Sequence, residues 1–356
     1  MTRIHLSSLL ILSLSLVACG GSSSSEGTTA ERADDEEDAD EYIGEGPADE
    51  DDEEDEEGGF VDDTLLRRAS ITLGDPTEVP GTGVTMRVPE GAQRMPMSAG
   101  FIAMRERVQI SVAVLEGSAD LLESIRTGGM QDAPDPAHEE EVEISGVTGR
   151  LGRDMVQTQQ GVLERQWLLV HDGTRGLGIV ATYEGARARG YRRPIHDALE
   201  AVEWDNEGAL DPSAALGIDV GPAEGLELSN RTTANLVMLE PDSEYPPVPG
   251  QPVLTVSPLP MRIPEDRAMG LCPQLAARFM AAPEEDVEDE ADVDGELRGC
   301  ERIITTDLPT GERVMAYAAV LFHQGVPILV TGFSAADAMD TWRPRFNSAA
   351  RTVRVR

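Results

Sequence analysis

The second half of this chain repeats the plan of the first, and that repetition narrows the available folds more than any other feature. Residues 167–173 (WLLVHDG) read as an apolar strand ending in a tight turn, residues 177–183 as a second apolar strand, and a helix follows that finishes at Trp204. Residues 319–325 (AVLFHQG), residues 328–333 and a helix finishing near Val355 keep the same order. The phase agrees as well. Tyr191, Ile195, Ala198 and Val202 step by 4, 3 and 4, and Trp342, Phe346, Ala349 and Val353 take the same steps, one stripe of a 3.6-residue period. Pro194 and Pro344 stand near the two helix starts, where a first turn tolerates proline. Gly149 and Gly161 are 12 apart, and so are Gly299 and Gly311. Several coincidences in one order argue for duplication.

The remainder of each unit fits. Residues 84–88 and 108–115 alternate apolar and polar residues as strands do. Residues 119–126 form a short helix behind Ser118, a good N-cap. In the second unit, residues 226–228 and 253–256 are the early strands and residues 273–280 the helix, with a proline-rich loop at 241–252. The expectation is an α+β fold: two tandem antiparallel-sheet domains flanked by helices, at 65–206 and 217–356, joined by a linker at 207–216.

The segments Gly178-Ile179-Val180-Ala181-Thr182-Tyr183 and Ala198-Leu199-Glu200-Ala201-Val202-Glu203-Trp204 carry a resemblance. The order of strands and helices around them resembles the PsbP-like superfamily, which includes DcrB-like bacterial lipoproteins. The resemblance covers most of 70–206 and, less closely, 217–356, where Val355 stands near the place of Trp204. It implies an antiparallel sheet flanked by helices and docking or scaffold roles. It carries over no functional residue.

The N-terminus has the shape of an export signal at 1–18: Arg3, a short apolar run at 6–16, then Leu16-Val17-Ala18-Cys19. A run this short is a signal core and falls below the roughly 20 residues of a spanning helix. The last four residues resemble a lipobox, in which the cysteine thiol takes a diacylglycerol. Cys19 is therefore expected to be the lipidated mature N-terminus, and Gly20 behind it favours the outer membrane of the cell envelope. Residues 19–64 are expected to be a disordered acidic tether. Within it, residues 26–63 hold 21 acids and one base, including nine consecutive acids at 49–57, and such a block repels itself and buries nothing. Weak divalent cation binding along it is the most it offers. The formal charge of the whole chain is -37, and no basic stripe offsets phosphate repulsion, so nucleic acid is excluded as a partner.

All 29 basic residues are arginine. Without lysine there is no lysine Schiff base, P-loop lysine or Ser-Lys dyad. With Cys19 assigned to the anchor, Cys272 and Cys300 remain as an even pair in an oxidising compartment, and a disulfide between them is expected. Cys272 would start a helix and Cys300 would lie on the strand beneath it.

Glu290, Asp292, Asp294, Gly295 and Glu301 fall at positions 1, 3, 5, 6 and 12 of an EF-hand loop. Position 1 is Glu in place of Asp, and strand follows Glu301, so a solvated acidic turn competes with a metal site. Gly176-x-Gly178-x-x-Ala181 imitates a dinucleotide fingerprint, but strand follows it where a helix is required. His171 and His323 occupy equivalent turns, His138 lies in an acidic loop and His196 on a helix's polar side. Trp167, Trp204 and Trp342 fall at apolar positions and belong to a core. The sequence thus points to a membrane-anchored envelope lipoprotein that binds or scaffolds another envelope protein, with no cofactor and no catalysis. The competing readings are a calcium-responsive protein using the acidic loop at 284–301, and a hydrolase whose site is dispersed in sequence.

Overall fold

The computed structural model describes residues 70–117, 119–127, 135–158, 161–229, 231–233, 236–241, 250–259, 261–280, 287–307 and 311–356. The export signal, Cys19, the acidic stretch, Ser118 and residues 242–249 of the proline-rich loop lie outside them. The first unit runs β1 (Leu73–Val79), β2 (Val84–Pro89), β3 (Gln93–Arg94), β4 (Gly100–Ala103), β5 (Val108–Glu116) and α1 (Ala119–Thr127). It continues with β6 (His138–Ile144), β7 (Val147–Thr158), β8 (Gly161–His171), β9 (Arg175–Glu184), α2 (Ala188–Glu200) and β10 (Glu203–Trp204). A short α3 (Pro212–Leu216) leads to β11 (Ile218–Asp219), β12 (Glu227–Leu228), β13 (Val237–Glu240), β14 (Val253–Pro258) and α4 (Glu265–Met280). Then come β15 (Val287–Asp294), β16 (Arg298–Asp307), β17 (Arg313–His323), β18 (Val326–Ala335), α5 (Met339–Arg351) and β19 (Arg354–Val355).

The duplication holds at the level of topology. One seven-stranded antiparallel sheet has the order β3-β4-β5-β9-β8-β7-β6, and the other β12-β13-β14-β18-β17-β16-β15. In each, three strands precede a helix, and four meandering strands then return to pair with the third. Tight turns hold the hairpins: Ser145-Gly146 and Gln324-Gly325 both take positive φ at both residues, the backbone that matches strand twist in a two-residue connection. Each unit also closes on itself, because its last short strand pairs near its start, β10 on β2 and β19 on β11.

The expected helix-flanked α+β class is corrected. Strands make up 50% of the described residues and helices 23%, in four antiparallel sheets with few helices. The long hairpins account for this: a strand of 11 residues reaches about 37 Å, whereas a helix of 13 spans about 20 Å. One helix on each side of a seven-stranded sheet does not make a layer, and the small sheets β1-β2-β10 and β11-β19 add further strand.

Apolar residues fill both sides of each large sheet. Tyr191, Ile195 and Leu199 of α2 pack with Leu168, Val170, Ile179 and Ala181 on one side of the first. Leu122 and Ile125 of α1 join Trp167 and Leu169 on the other. The glycines of the false dinucleotide motif explain themselves here: a Cβ on Gly176 or Gly178 would run into Leu122 or Ile125. In the second unit Phe346 and Ala349 of α5 pack on one side, and Cys272 and Ala276 of α4 pack on the other. Pro194 and Pro344 lie inside their helices, in the second turn and not the first, because 3-10 turns at Gly185–Arg187 and Ala336–Ala338 start each helix early.

The two units share backbone. β4 pairs with β5 only as far as Ser111. Beyond it, Val114 N–H donates to Thr233 Oγ1 at 3.0 Å, Thr233 N–H to Val114 O at 2.8 Å and Glu116 N–H to Arg231 O at 2.8 Å. Residues of the second unit thereby extend the first unit's sheet. Met97, at φ 54°, crosses the other way and is buried in the second unit's core with Leu216. No helix among the described residues is long and apolar enough to cross a membrane.

Candidate functional site

Antiparallel pairing sets His138 opposite Arg153 and Glu140 opposite Leu151. Side chains two apart on a strand share a face, so His138 and Glu140 stand with Leu151, on the face that α2 covers. His196 of α2 meets them there: its Nε2 is 2.5 Å from Glu140 Oε1, and His138 Nε2 is 3.8 Å from the same oxygen. With Gly152, Arg153, Gln166, Arg192 and Arg193, these residues line a groove of about 270 Å³.

Buried polar chemistry behind the groove fixes its floor residues Gln166 and Arg192. Glu164, 1% exposed, accepts from Arg192 Nε at 2.7 Å and Nη2 at 2.7 Å and from Tyr183 OH at 3.0 Å. Gln166 Nε2 donates to Tyr183 OH at 2.7 Å and to the Arg192 carbonyl at 3.0 Å. Burial, reinforced by the Glu164 charge, pushes the Tyr183 phenol well above its ordinary range, so it remains a donor. The rim is looser. The Arg193 side chain is 92% exposed and comes no closer than 3.9 Å to Asp197. The hydrogen bond with His196 outweighs desolvation and, with the charges of both histidines, holds the Glu140 carboxyl below the usual glutamate range.

On the opposite face, Asp154 is fully buried and takes a two-pronged bond from Arg165, at 2.7 and 2.8 Å. The guanidiniums of Arg126 and Arg150 lie 5.7 and 5.9 Å from the centroid of the Trp167 ring.

The second unit carries different residues at the corresponding place. Glu301 and Asn347 occupy the positions of Leu151 and His196, and Tyr317 that of Gln166. Tyr317 OH donates to Glu301 Oε2 at 3.0 Å, and Asn347 Nδ2 donates to the same oxygen. Burial and then the Glu301 charge push the Tyr317 phenol far up.

The residues singled out from sequence are placed as follows. Cys272 and Cys300 are disulfide-bonded, with Cα atoms 5.9 Å apart, and tie α4 to β16. Cys272 lies in the middle of α4, which begins eight residues before Pro273. The acidic loop is a hairpin in which Asp292 pairs with Cys300 and Ala291 with Glu301. Asp292 and Asp294 therefore share one face, while Glu301 points to the other and is spent on Tyr317 and Asn347. Glu290 lies opposite Arg302 in register. The hairpin does not bring this set together. His171 ties its own turn to the end of β5, with Nε2 2.7 Å from Gly117 O and Nδ1 accepting from Gly173 N–H at 3.1 Å. His323 is half-buried at the other turn. Trp167 and Trp204 are core residues, and Trp342 is partly buried.

His138 opens a strand, not a loop. The alternation His-x-Glu at 138–140 was a visible sign of a shared face. That α2 lies over it depends on strand order.

No family model matches the chain, and no curated protein is similar to it in sequence. Among solved structures it is similar to the cyanobacterial PsbP of Synechocystis sp. PCC 6803, at 14% identity over 42% of this chain and 98% of that one, with a TM-score of 0.23. It is also similar to the type VI secretion immunity protein TplEi of Pseudomonas aeruginosa, at 10% identity over 82% of this chain and 99% of that one, with a TM-score of 0.32. TplEi complexed with "L" peptide gives 12%, 77%, 96% and 0.28 in the same order. Likeness this distant assigns no function.

Proposed function

We propose that this chain is a lipid-anchored protein of the cell envelope, built from two PsbP-like units, that binds a segment of another envelope protein in the first unit's groove. The observation that carries the reading is the asymmetry between the copies. One has a groove whose floor residues Gln166 and Arg192 are held from behind by Tyr183 and Glu164, whereas in the other Glu301, Tyr317 and Asn347 stand at the corresponding positions and bond to one another. A preorganised floor lowers the cost of binding, and a membrane tether raises the effective concentration of the groove near its partner.

A photo-crosslinking amino acid at position 193 in living cells tests this. One dominant adduct with an envelope protein is expected, and Arg153→Ala together with His196→Ala should abolish it without changing the melting curve. Adducts that ignore those substitutions would count against the groove. The address is tested separately by intact-mass analysis, which should find diacylglyceryl at Cys19 and an uncleaved precursor in Cys19→Ala.

A further inference from the structure

Resting on the groove as the binding surface, we propose that it takes the free carboxyl end of the partner's chain, held by Arg153 and Gln166. His138, Arg153 and Gln166 stand in one row across β6, β7 and β8, each directly opposite the next. Residues so paired share a face, with Cβ atoms about 5 Å apart, and all three line the groove.

Two of them carry polar groups with nothing to bind. Arg153 is half-buried, and its guanidinium has no hydrogen-bond or ion-pair partner among the described residues. Gln166 is 3% exposed. Its nitrogen gives both hydrogens away, to Tyr183 OH at 2.7 Å and to the Arg192 carbonyl at 3.0 Å. That carbonyl can only accept, which settles the orientation of the amide. The Gln166 carbonyl oxygen has no partner among the described residues and is not sealed in the core. An acceptor left without a donor in a buried side chain is costly, and at a groove wall a ligand can supply the donor.

This pair calls for an anion and an N–H side by side. A chain end has both, since its carboxylate carbon and last amide nitrogen flank one Cα, about 2.5 Å apart. The guanidinium takes the carboxylate with two parallel bonds, and the N–H donates to the Gln166 oxygen. Inorganic phosphate brings no N–H. The cavity of about 270 Å³ falls just under the roughly 300–1,000 Å³ of pockets for drug-sized ligands, which suits a chain end better than a through-going strand. Leu151, two residues from Arg153 on the same face, offers the last side chain an apolar wall. The acids nearby are occupied. Glu164 is paired with Arg192, and Glu140 is bonded to His196 in a row about 7 Å further along the strands. Arg193, 92% exposed, adds a cation at the rim. The second unit sets Ile303 opposite Tyr317 at the corresponding register, so one site per chain is expected.

Saturation-transfer NMR on the full mature chain in detergent, with N-acetyl-Ala-Ala-Leu as probe, tests this. The free acid should bind, and its C-terminal amide should bind at least tenfold more weakly. Replacing the last amide N–H by an ester oxygen, which keeps the carboxylate and removes the donor, should weaken binding several-fold. Inorganic phosphate and N-acetyl-Ala-Asp amide should bind no better than the C-terminal amide. Arg153→Gln should lose the acid and Arg153→Lys should retain part of it, with circular dichroism melts establishing that each is folded. The proposal is overturned if the acid fails to bind, if acid and amide bind alike, if phosphate or the aspartyl amide matches the acid, or if a folded Arg153→Gln chain still prefers the acid. Should that happen while the adduct at position 193 persists, the groove binds a segment and only the chain end is wrong. Should the adduct fail while the acid binds through Arg153, the carboxylate site stands and the envelope partner does not.

Discussion

Gly152 and Trp167 face each other across β7 and β8, and in the second unit Arg302 and Ala318 hold the corresponding positions. Each pair sets one large side chain against one small one, so both sheets keep their spacing with opposite choices. A Cβ on Gly152 would collide with the Trp167 ring and come within 2.9 Å of the His138 carbonyl. Gly152→Ala should cost about 1–3 kcal/mol in urea denaturation, as overpacking does, and should weaken the groove's ligands by displacing His138. Asp154 shows the electrostatic counterpart. Removing a fully buried carboxylate leaves Arg165, 11% exposed, without its partner. Asp154→Ala should cost about 3–5 kcal/mol by the same measurement. Neither feature was legible beforehand. Asp154 and Arg165 are 11 residues apart, and only the β7–β8 register makes them neighbours.

Elements were legible where their apolar period was long and unbroken. The paired strands ending at His171 and His323 and the stripes of α2 and α5 follow directly from period 2 and period 3.6. β13 was hidden because its four residues border a proline-rich loop. The start of α4 was misplaced because Pro273 looked like a first-turn proline. The true start carries Pro264 followed by Glu265 and Asp266, and those acids favour a helix N-terminus. With Cys272 inside α4 and Cys300 on β16, the bridge closes a separation of 28 residues. In the chain-entropy model this is worth about 3–4 kcal/mol. Cys272→Ser with Cys300→Ser should lower the urea stability of the second unit by that amount, and dithiothreitol should no longer affect the variant. A weaker clasp holds β11 to β19, where Arg356 Nε donates to Asp219 at 3.0 Å. That hydrogen bond, aided by the guanidinium charge, holds the Asp219 carboxyl below its usual range. A depressed carboxylate stabilises the fold above its ordinary range and loses that effect as pH falls through its lowered value. Both side chains are partly exposed, so Asp219→Asn should cost under about 1 kcal/mol at neutral pH. The difference should vanish in acid, as read from urea midpoints across pH.

At the scale of the whole molecule, the linker expected at 207–216 is an ordered strap. Asp205 and Asp211 N–H donate to Gly83 and Gly81, and Arg94 reaches the carbonyls of Ala214 and Ala215. Thr233 is fully buried at the seam and serves as both acceptor and donor to Val114. Thr233→Val keeps the shape and leaves the Val114 N–H without a partner, which costs about 1–3 kcal/mol. Scanning calorimetry should then resolve two transitions where the parent shows one. The groove was the least legible feature at this scale: Glu140 and His196 meet only because β6 ends the sheet order under α2. The exchange at the seam, with residues 231–233 lying along β5 and Met97 sunk in the second core, also limits how the protein can be divided. Cut free, the first unit would expose the bare edge of β5, and the second would carry a hole where Met97 fits. Two such halves mixed together should find each other, whereas either alone should borrow the missing piece from a second copy and form swapped dimers.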